Sequence, residues 1–244
     1  MTEGLTAVSW NIHRARGKDG RVDPERVLAV LGEEVCPPGT ADILALQEAD
    51  EEPRPHRGIL DIAGVEAATG LGWAHGDPAL RWSVESHGFL GAILFLPTAA
   101  TIRHGDLIDL PGRCHRGAVS LEIGLKGRTV RVVTTHLSLG QPLRLVQMRT
   151  IGQYLMRRPR MQTILLGDLN EWRPWGGLAF RPGLTLLPLE GPARPSFPAT
   201  RPLLPLDRVL SAPGCVEDLE VLDGPGIRAA SDHRPVRARV RAEG

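Results

Sequence analysis

The sequence predicts an α/β fold, and three observations carry that reading. Short apolar runs such as Ala41–Leu46 and Thr163–Leu166 have the length of buried strands rather than helices. Between such runs lie two stretches with helical spacing, 23–35 and 142–157. No internal repeat or linker divides the chain, so residues 1–244 read as a single domain.

The elements follow in order. Leu5–Trp10 alternates apolar and small polar residues as a strand does and runs out on Asn11-Ile12-His13. A glycine-rich basic loop, Arg14–Arg21, comes next. Asp23 caps a helix and Pro24 takes its first position; Val27, Leu28, Leu31 and Val35 mark one face, and Cys36–Gly39 stops it. Ala41–Glu48 is a second buried strand that ends on an acid. A lone ionised carboxylate is costly in a core, so Glu48 calls for a cation partner or an exposed strand end. Residues 59–71 read as helix, and His87–Leu96 as a strand with a glycine-rich entry. Gly117–Leu125 and Arg128–His136 both alternate and are joined by Lys126-Gly127, which predicts a hairpin. From Pro142 to about Arg157 a helix places Leu143, Val146, Ile151, Tyr154 and Leu155 on one face, with arginines in its last turn. Residues 173–205 are rich in Pro and Gly and read as a long irregular span, which in a compact domain is usually functional. Leu206–Ser211 is a short strand opening on Asp207, and Asp232-His233 leads into a last strand carrying Val236, Ala238 and Val240.

The totals exclude several classes. With 42% hydrophobic and 23% charged residues, the chain matches an ordinary globular protein. A net charge of +1 gives no global field toward nucleic acid or an acidic membrane. The three cysteines, Cys36, Cys114 and Cys215, are far apart and form no C-x-x-C, which points to free thiols in a reducing, cytoplasmic setting. No signal peptide and no spanning segment are expected.

Polar groups gather at strand ends. Asp168 and Asn170 leave the strand Thr163–Leu166 two residues apart, hence on one side of an extended chain. Two readings fit them: an Asx-rich turn, or a carboxylate and carboxamide facing a crevice. Asn11, Glu48, His136, Asp207, Asp232 and His233 occupy similar junctions. Glu48 and Asp232 are hard oxygen donors suited to Mg²⁺ or Mn²⁺, with Asn11 beside them. The two histidines lack zinc-type spacing.

The set Ser9-Trp10-Asn11, Leu46-Gln47-Glu48, Thr135-His136, Gly167–Asn170, Leu206–Val209 and Ser231–His233 resembles the endonuclease/exonuclease/phosphatase superfamily, in motif order from about residue 5 to 240. The resemblance implies a four-layer α/β/β/α sandwich, two mixed sheets face to face with helices outside. It also implies metal-dependent attack of water on a phosphoester. By resemblance, Glu48, Asn11 and Asp232 hold Mg²⁺ or Mn²⁺, and Asp168 and Asn170 orient or deprotonate water. His233 paired with Asp207 stabilises the phosphoryl group, His136 lies across the phosphate, and Arg116 contacts it. One departure stands out: His13 takes the place of an acid that the abasic-site exonucleases carry. Ligand, phosphate donor and plain loop residue all fit His13, and the last is favoured.

Near-neutral charge and few aromatics favour a small-molecule or lipid-like phosphodiester over DNA, since a duplex-tracking groove needs several phosphate contacts. Trp172 and Trp175 either stack on substrate or cap the core. The expected protein is a monomeric phosphoesterase. A nuclease and a non-catalytic binding module are the alternatives.

Overall fold

In the computed structural model, residues 4–112, 116–172 and 177–241 are described. β1 (Leu5–Asn11) runs parallel to β2 (Ile43–Gln47), with Asn11 opposite Gln47. The crossover between them carries α1 (Pro24–Val30). Its start is the one predicted: Pro24 lies in the first turn and Asp23 Oδ1 accepts the Arg26 N–H at 3.0 Å. A π-helical turn, Leu31–Val35, extends it to Cys36. α2 (Ile62–Thr69) ends at Gly70, and β3 (Gly72–Trp73) and β4 (Ile93–Leu96) follow. β5 (Thr101–Leu110), β6 (Arg116–Leu125) and β7 (Arg128–His136) form an antiparallel meander. The β6–β7 hairpin turns through Lys126 and Gly127, both at positive φ (49° and 73°), as expected. α3 (Gln141–Met156) then crosses to β8 (Thr163–Asp168), which is parallel to β7. α4 (Pro182–Thr185), β9 (Asp207–Ala212), β10 (Cys215–Val221), α5 (Pro225–Ala230) and β11 (Val236–Arg241) complete the order.

The strands form two mixed sheets, β10-β11-β1-β2-β4-β3 and β5-β6-β7-β8-β9. Between them lies an apolar layer drawn from both, including Ala7, Ile43, Leu94, Val119, Leu121, Val132, Ile164 and Val209. Each such side chain contributes about 1.5–3 kcal/mol on full burial. The outer face of the first sheet, with Val8, Trp10, Leu44 and Phe95, packs on Val27, Leu31, Val65 and Ile227 of the helical layer. The outer face of the second packs on Met148, Ile151 and Leu155 of α3. This is the expected α/β/β/α sandwich.

Five of these elements, β3, β5, α4, β10 and α5, had no sequence signal. β5 and β10 are sheet edges, and both expose charged residues such as Arg103, Asp109, Glu217 and Glu220 in place of clean alternation. Charge on an edge strand discourages pairing with other chains, and it blurs the strand pattern. α5 is too short to show helical periodicity. The face of α3 also differs from expectation. Val146 is exposed, while Arg144, Gln147, Met148, Ile151 and Leu155 are buried, so two polar residues displace the apolar face. Arg157 and Arg158 lie past the helix end at Met156. The 173–205 span contains a 3₁₀ turn, Leu178–Phe180, and α4; residues 173–176, with Trp175, and Cys114 lie outside the described residues.

One buried histidine links the core to pH. His75 is fully buried; its Nδ1–H donates to Leu80 O at 2.7 Å and its Nε2 accepts the Leu94 N–H at 2.9 Å. Burial pulls its pKa down to about 4. The unfolded chain therefore takes up the proton first. The stability due to a neutral His75 is intact above about pH 6.5 and is lost as pH falls toward 4. From pH 7 to 5 that loss is about 2 kcal/mol. In urea melts at both pH values, His75→Gln should lose correspondingly less stability than wild type.

Candidate active site

The parallel arrangement of β1 with β2, and of β7 with β8, brings four strand ends to one end of the sandwich. Across the second sheet the register is direct: His136 is opposite Asp168, and Asp168 opposite Asp207. Gly167 makes this spacing workable. At φ 146°, a Cβ there would fall 1.9 Å from Thr135 O. From the first sheet, Asn11 closes the gap, its Nδ2 donating to Asp168 Oδ2 at 3.0 Å.

Asp168 is 1% exposed, and three nitrogens surround its Oδ2: Asn11 Nδ2, His136 Nε2 at 3.3 Å and His233 Nε2 at 3.6 Å. Its Oδ1 accepts the Asn170 N–H at 3.1 Å. Burial raises the Asp168 pKa to about 6. His233 opposes that rise, the nearby Asp207 charge adds to it, and the bonds from Asn11 and Asn170 oppose it.

The two histidines are held in different states. Arg116 Nη1 lies 3.0 Å from His136 Nδ1. A guanidinium only donates, so Nδ1 is the acceptor and the ring proton sits on Nε2, toward Asp168. Burial, with the Arg116, His233 and Arg14 charges, pushes the His136 pKa well below its usual value. His233 Nδ1 donates to Asp207 Oδ2 at 2.9 Å. Burial alone would lower His233, but Asp207 and Asp168 outweigh it and push it up to about 10. His136 is thus a neutral donor and His233 a cationic one.

The surrounding residues fix this pair. Ser196 Oγ donates to Asp207 Oδ2 at 2.5 Å and accepts the Asp207 N–H at 3.2 Å. Ser231 Oγ donates to Asn11 O at 2.7 Å and accepts the His233 N–H at 3.1 Å. Trp10 Nε1 donates to His233 O at 3.1 Å, and the Phe197 ring centroid lies 4.8 Å from that of His233. Asn170, at φ 51°, turns its Nδ2 onto Leu137 O at 2.8 Å and ties the ends of β7 and β8 together.

Glu48 is a non-glycine residue at positive φ (59°), a conformation that clusters at functional sites. Its Oε1 lies 3.7 Å from His136 Nδ1, and its Oε2 accepts from Arg14 Nη1 at 2.7 Å. Asp232 stands at the rim, with Oδ1 3.5 Å from His13 Nδ1. That oxygen is buried and accepts no hydrogen bond among the described residues. Asn11 Oδ1 accepts the His13 N–H at 2.9 Å. The group Asp168, Asp207 and His233 also brings its ligand atoms within 4.8 Å of one another. His233 in that group is held as an imidazolium and has no lone pair to offer a cation, whereas the buried Asp232 oxygen and the Glu48 carboxylate are the hard donors a divalent cation fits.

Asn11, His136, Asp168, Asp207 and His233 form one contact network, with Glu48 and Arg116 joined through His136. Asp232 and His13 lie at its edge. Arg14 and Ser196 were missed. Arg14 belongs to a basic loop that reads from sequence either as a holder of an extra phosphate or as solvated surface, and Ser196 is one residue of an irregular span, so neither signals its contact with Glu48 or Asp207.

The His233 state is directly testable. Its imidazole should titrate near pH 10 by ¹⁵N NMR, and Asp207→Asn should lower that value by about 2 or more. An unchanged titration would remove Asp207 as the cause.

Known proteins place this geometry. A profile of the Endonuclease/Exonuclease/phosphatase family matches residues 8–233. Uncharacterized protein YbhP of Escherichia coli (strain K12) is 27% identical over 140 residues, which cover 54% of this chain and 55% of that one. The chain therefore aligns to little more than half the length of this curated relative. An endonuclease/exonuclease/phosphatase from Beutenbergia cavernae DSM 12333 superposes with a TM-score of 0.69 at 21% identity, covering 99% of this chain and 72% of that one. The Bacteroides thetaiotaomicron VPI-5482 mannosyl-6-phosphatase Bt3783 also gives 0.69, at 16% identity, covering 97% and 99%. With the profile spanning nearly the whole chain and the fold shared throughout, this protein belongs to the Endonuclease/Exonuclease/phosphatase family.

Proposed function

We propose that this chain is a divalent-metal-dependent phosphoesterase that directs water at a phosphodiester, on a small-molecule or lipid-like substrate. One observation carries the reading. A buried carboxylate, Asp168, has three N–H donors within 3.6 Å of one oxygen, and one of the three is cationic at neutral pH. At neutral pH Asp168 is mostly ionised and can take a proton from water. Asn11 Nδ2, His136 Nε2–H and His233 Nε2–H converge on Asp168 Oδ2 in the free protein, and on substrate binding they would turn to the non-bridging phosphoryl oxygens that gather charge. Asp207 keeps His233 charged, and Arg116 keeps the His136 proton on Nε2. Glu48, Asp232 and Asn11 would hold Mg²⁺ or Mn²⁺. When bound, that cation neutralises the phosphoryl charge and lowers the pKa of water. We read the chain as one catalytic domain, monomeric and cytoplasmic; the free thiols Cys36 and Cys215 support a reducing compartment.

A nuclease is the second reading. Trp172 is 44% exposed beside Asn170 and lies over the Arg144 guanidinium, 5.5 Å from it, a placement suited to stacking on a base. A solved structure of D. rerio TDP2, 16% identical to this chain, is a complex with a single-strand DNA product.

A screen over phosphomonoesters, phosphodiesters, plasmid and abasic oligonucleotide, with Mg²⁺ or Mn²⁺, separates these readings. Turnover should vanish with EDTA and return with metal. Asp168→Ala and His233→Ala should each lose roughly a thousandfold in kcat. Turnover that survives both variants would end the proposal. Binding without turnover across the panel would favour a non-catalytic module.

Arg14 and the metal draw on the same Glu48 carboxylate, so Arg14→Met should tighten Mn²⁺ binding by about fivefold in calorimetry, the equivalent of roughly 1 kcal/mol of relieved repulsion.

A further inference from the structure

One buried acid stands outside the network of the candidate site. Asp50 is 3% exposed and two residues beyond Glu48, and no Lys or Arg pairs with it among the described residues. Its hydrogen-bond partners are backbone groups of a single loop. Oδ1 accepts the His87 N–H at 2.9 Å, and Oδ2 accepts the Gly91 N–H at 3.2 Å. The Gly88 N–H is a further donor to the same carboxylate. A buried carboxylate is costly unless its oxygens are satisfied, so Asp50 and the 87–91 loop stay together.

The loop so held meets both sheets at the site. On the first sheet it lies against Glu48. The Ala49 N–H donates to Gly91 O at 3.0 Å. Gly91 is at φ 83°, and a Cβ on it would fall 3.2 Å from Glu48 Cα and 3.3 Å from Glu48 N, so the two backbones are in close contact. Glu48 and Leu90 both have positive φ (59° and 54°), a conformation that a residue with a side chain keeps only where its surroundings enforce it. On the second sheet the loop reaches Gly117. A Cβ there would fall 2.3 Å from the Phe89 ring, so the ring fills the space a side chain would take. Gly117 follows Arg116, whose Nη1 lies 3.0 Å from His136 Nδ1, and Glu48 Oε1 is 3.7 Å from that same nitrogen. One loop thus borders the chain at both residues that face His136 Nδ1.

We infer that Asp50 is a positioning residue. Through the 87–91 loop it fixes the Glu48 carboxylate and, by way of Phe89 and Gly117, the Arg116 guanidinium. The inference rests on the phosphoesterase reading for Glu48 as a metal ligand, but the link from Asp50 to His136 can be measured without metal or turnover. A carboxylate suits this place because the loop offers it only donors. An amide would set an NH₂ against one of those N–H groups. Partners that hold a metal ligand in place typically change metal affinity by about 10- to 100-fold.

The test compares Asp50→Asn with wild type and with Asp42→Asn. Asp42 precedes β2 at the end opposite Glu48, where it accepts the Thr6 N–H at 2.9 Å and pairs with Lys126. Each variant puts an NH₂ in place of one acceptor oxygen, but only Asp50 holds the 87–91 loop. ¹⁵N NMR of the metal-free protein at neutral pH reads the His136 ring. Wild type should carry the proton on Nε2 alone. Asp50→Asn should give a mixture of the two ring forms as Arg116 leaves Nδ1, and Asp42→Asn should match wild type. An unchanged His136 in Asp50→Asn, or the same change in both variants, would overturn the inference. Calorimetry with Mn²⁺ alone then reads Glu48. Binding should weaken about tenfold in Asp50→Asn and stay within about twofold of wild type in Asp42→Asn. Full affinity in Asp50→Asn, or equal weakening in both variants, would also overturn it. Should Asp50→Asn fail to fold by circular dichroism, Gly91→Ala carries both measurements with the same expected and overturning results, since it keeps Asp50 and presses a methyl on Glu48 Cα. No Mn²⁺ binding in wild type, with the His136 change present, would count against the metal-dependent reading and leave Asp50 in its role.

Discussion

Asp168 is a carboxylate sealed inside the protein, and the site is arranged around that fact. A buried charge without partners is among the most costly features a fold can hold. Here both oxygens are engaged: Oδ1 by the Asn170 N–H, Oδ2 by Asn11 and the two histidines. The partners come from β1, β7 and the approach to β11, so satisfying this one group requires both sheets to be in register. The same dependence makes the site rigid. Any shift between the sheets would break the Asn11 bond, and any slip of β7 against β8 would move His136 away from Asp168.

Behind the site lies a second buried polar layer with a different task. Arg144, Glu171 and Arg208 are all fully buried. Glu171 Oε2 accepts the Ala179 N–H at 3.2 Å, and its Oε1 lies 3.7 Å from Arg144 Nη2. Arg208 donates from Nε to Pro205 O at 2.8 Å and from Nη2 to Glu171 O at 3.3 Å. These contacts tie the segment after Asn170 to the segment before Asp207. They hold both strand ends of the candidate site from behind, while Arg144 supports Trp172 from below. Buried ion clusters contribute little net stability. Their value here is positional, because apolar replacements would leave the Pro205 and Glu171 carbonyls without partners.

The central strands and the two main helices were legible in the sequence because burial on both faces leaves continuous apolar runs and helical spacing leaves periodic ones. Thr163–Leu166 and Ala41–Leu46 are such runs. Edge strands β5 and β10 were not legible, because solubility there requires charge where alternation would demand apolar residues. The site residues were legible as polar groups at strand ends. Their protonation states were not, because these depend on neighbours distant in the chain: Arg116 for His136, Asp207 for His233. Ser196 illustrates the limit. Its bond to Asp207 spans a Pro-rich turn of irregular shape, and nothing in Arg194-Pro195-Ser196-Phe197 marks it.

The topology explains why so many partners meet at one end. Each sheet contains the same unit, a parallel pair joined through a helix and flanked by antiparallel strands: β11-β1-β2-β4 in one, β6-β7-β8-β9 in the other. Equivalent positions carry equivalent chemistry. The first parallel strand ends on a nitrogen donor, Asn11 or His136. The second leads into an acid, Glu48 or Asp168. The approach to the antiparallel neighbour brings a cation, His233 or Arg116. No repeat is visible in the sequence, since Asn does not resemble His, nor His Arg, in any alignment by residue type. Contacts also cross between the halves. Asn11 of the first reaches Asp168 of the second, and His136 of the second approaches Glu48 of the first. Each acid thus has contacts from both halves, Glu48 with Arg14 of its own and His136 of the other, Asp168 with His136 of its own and Asn11 of the other, so the site lies where the two sets of strand ends meet. That convergence, rather than any single motif, is what fixes the position of the site.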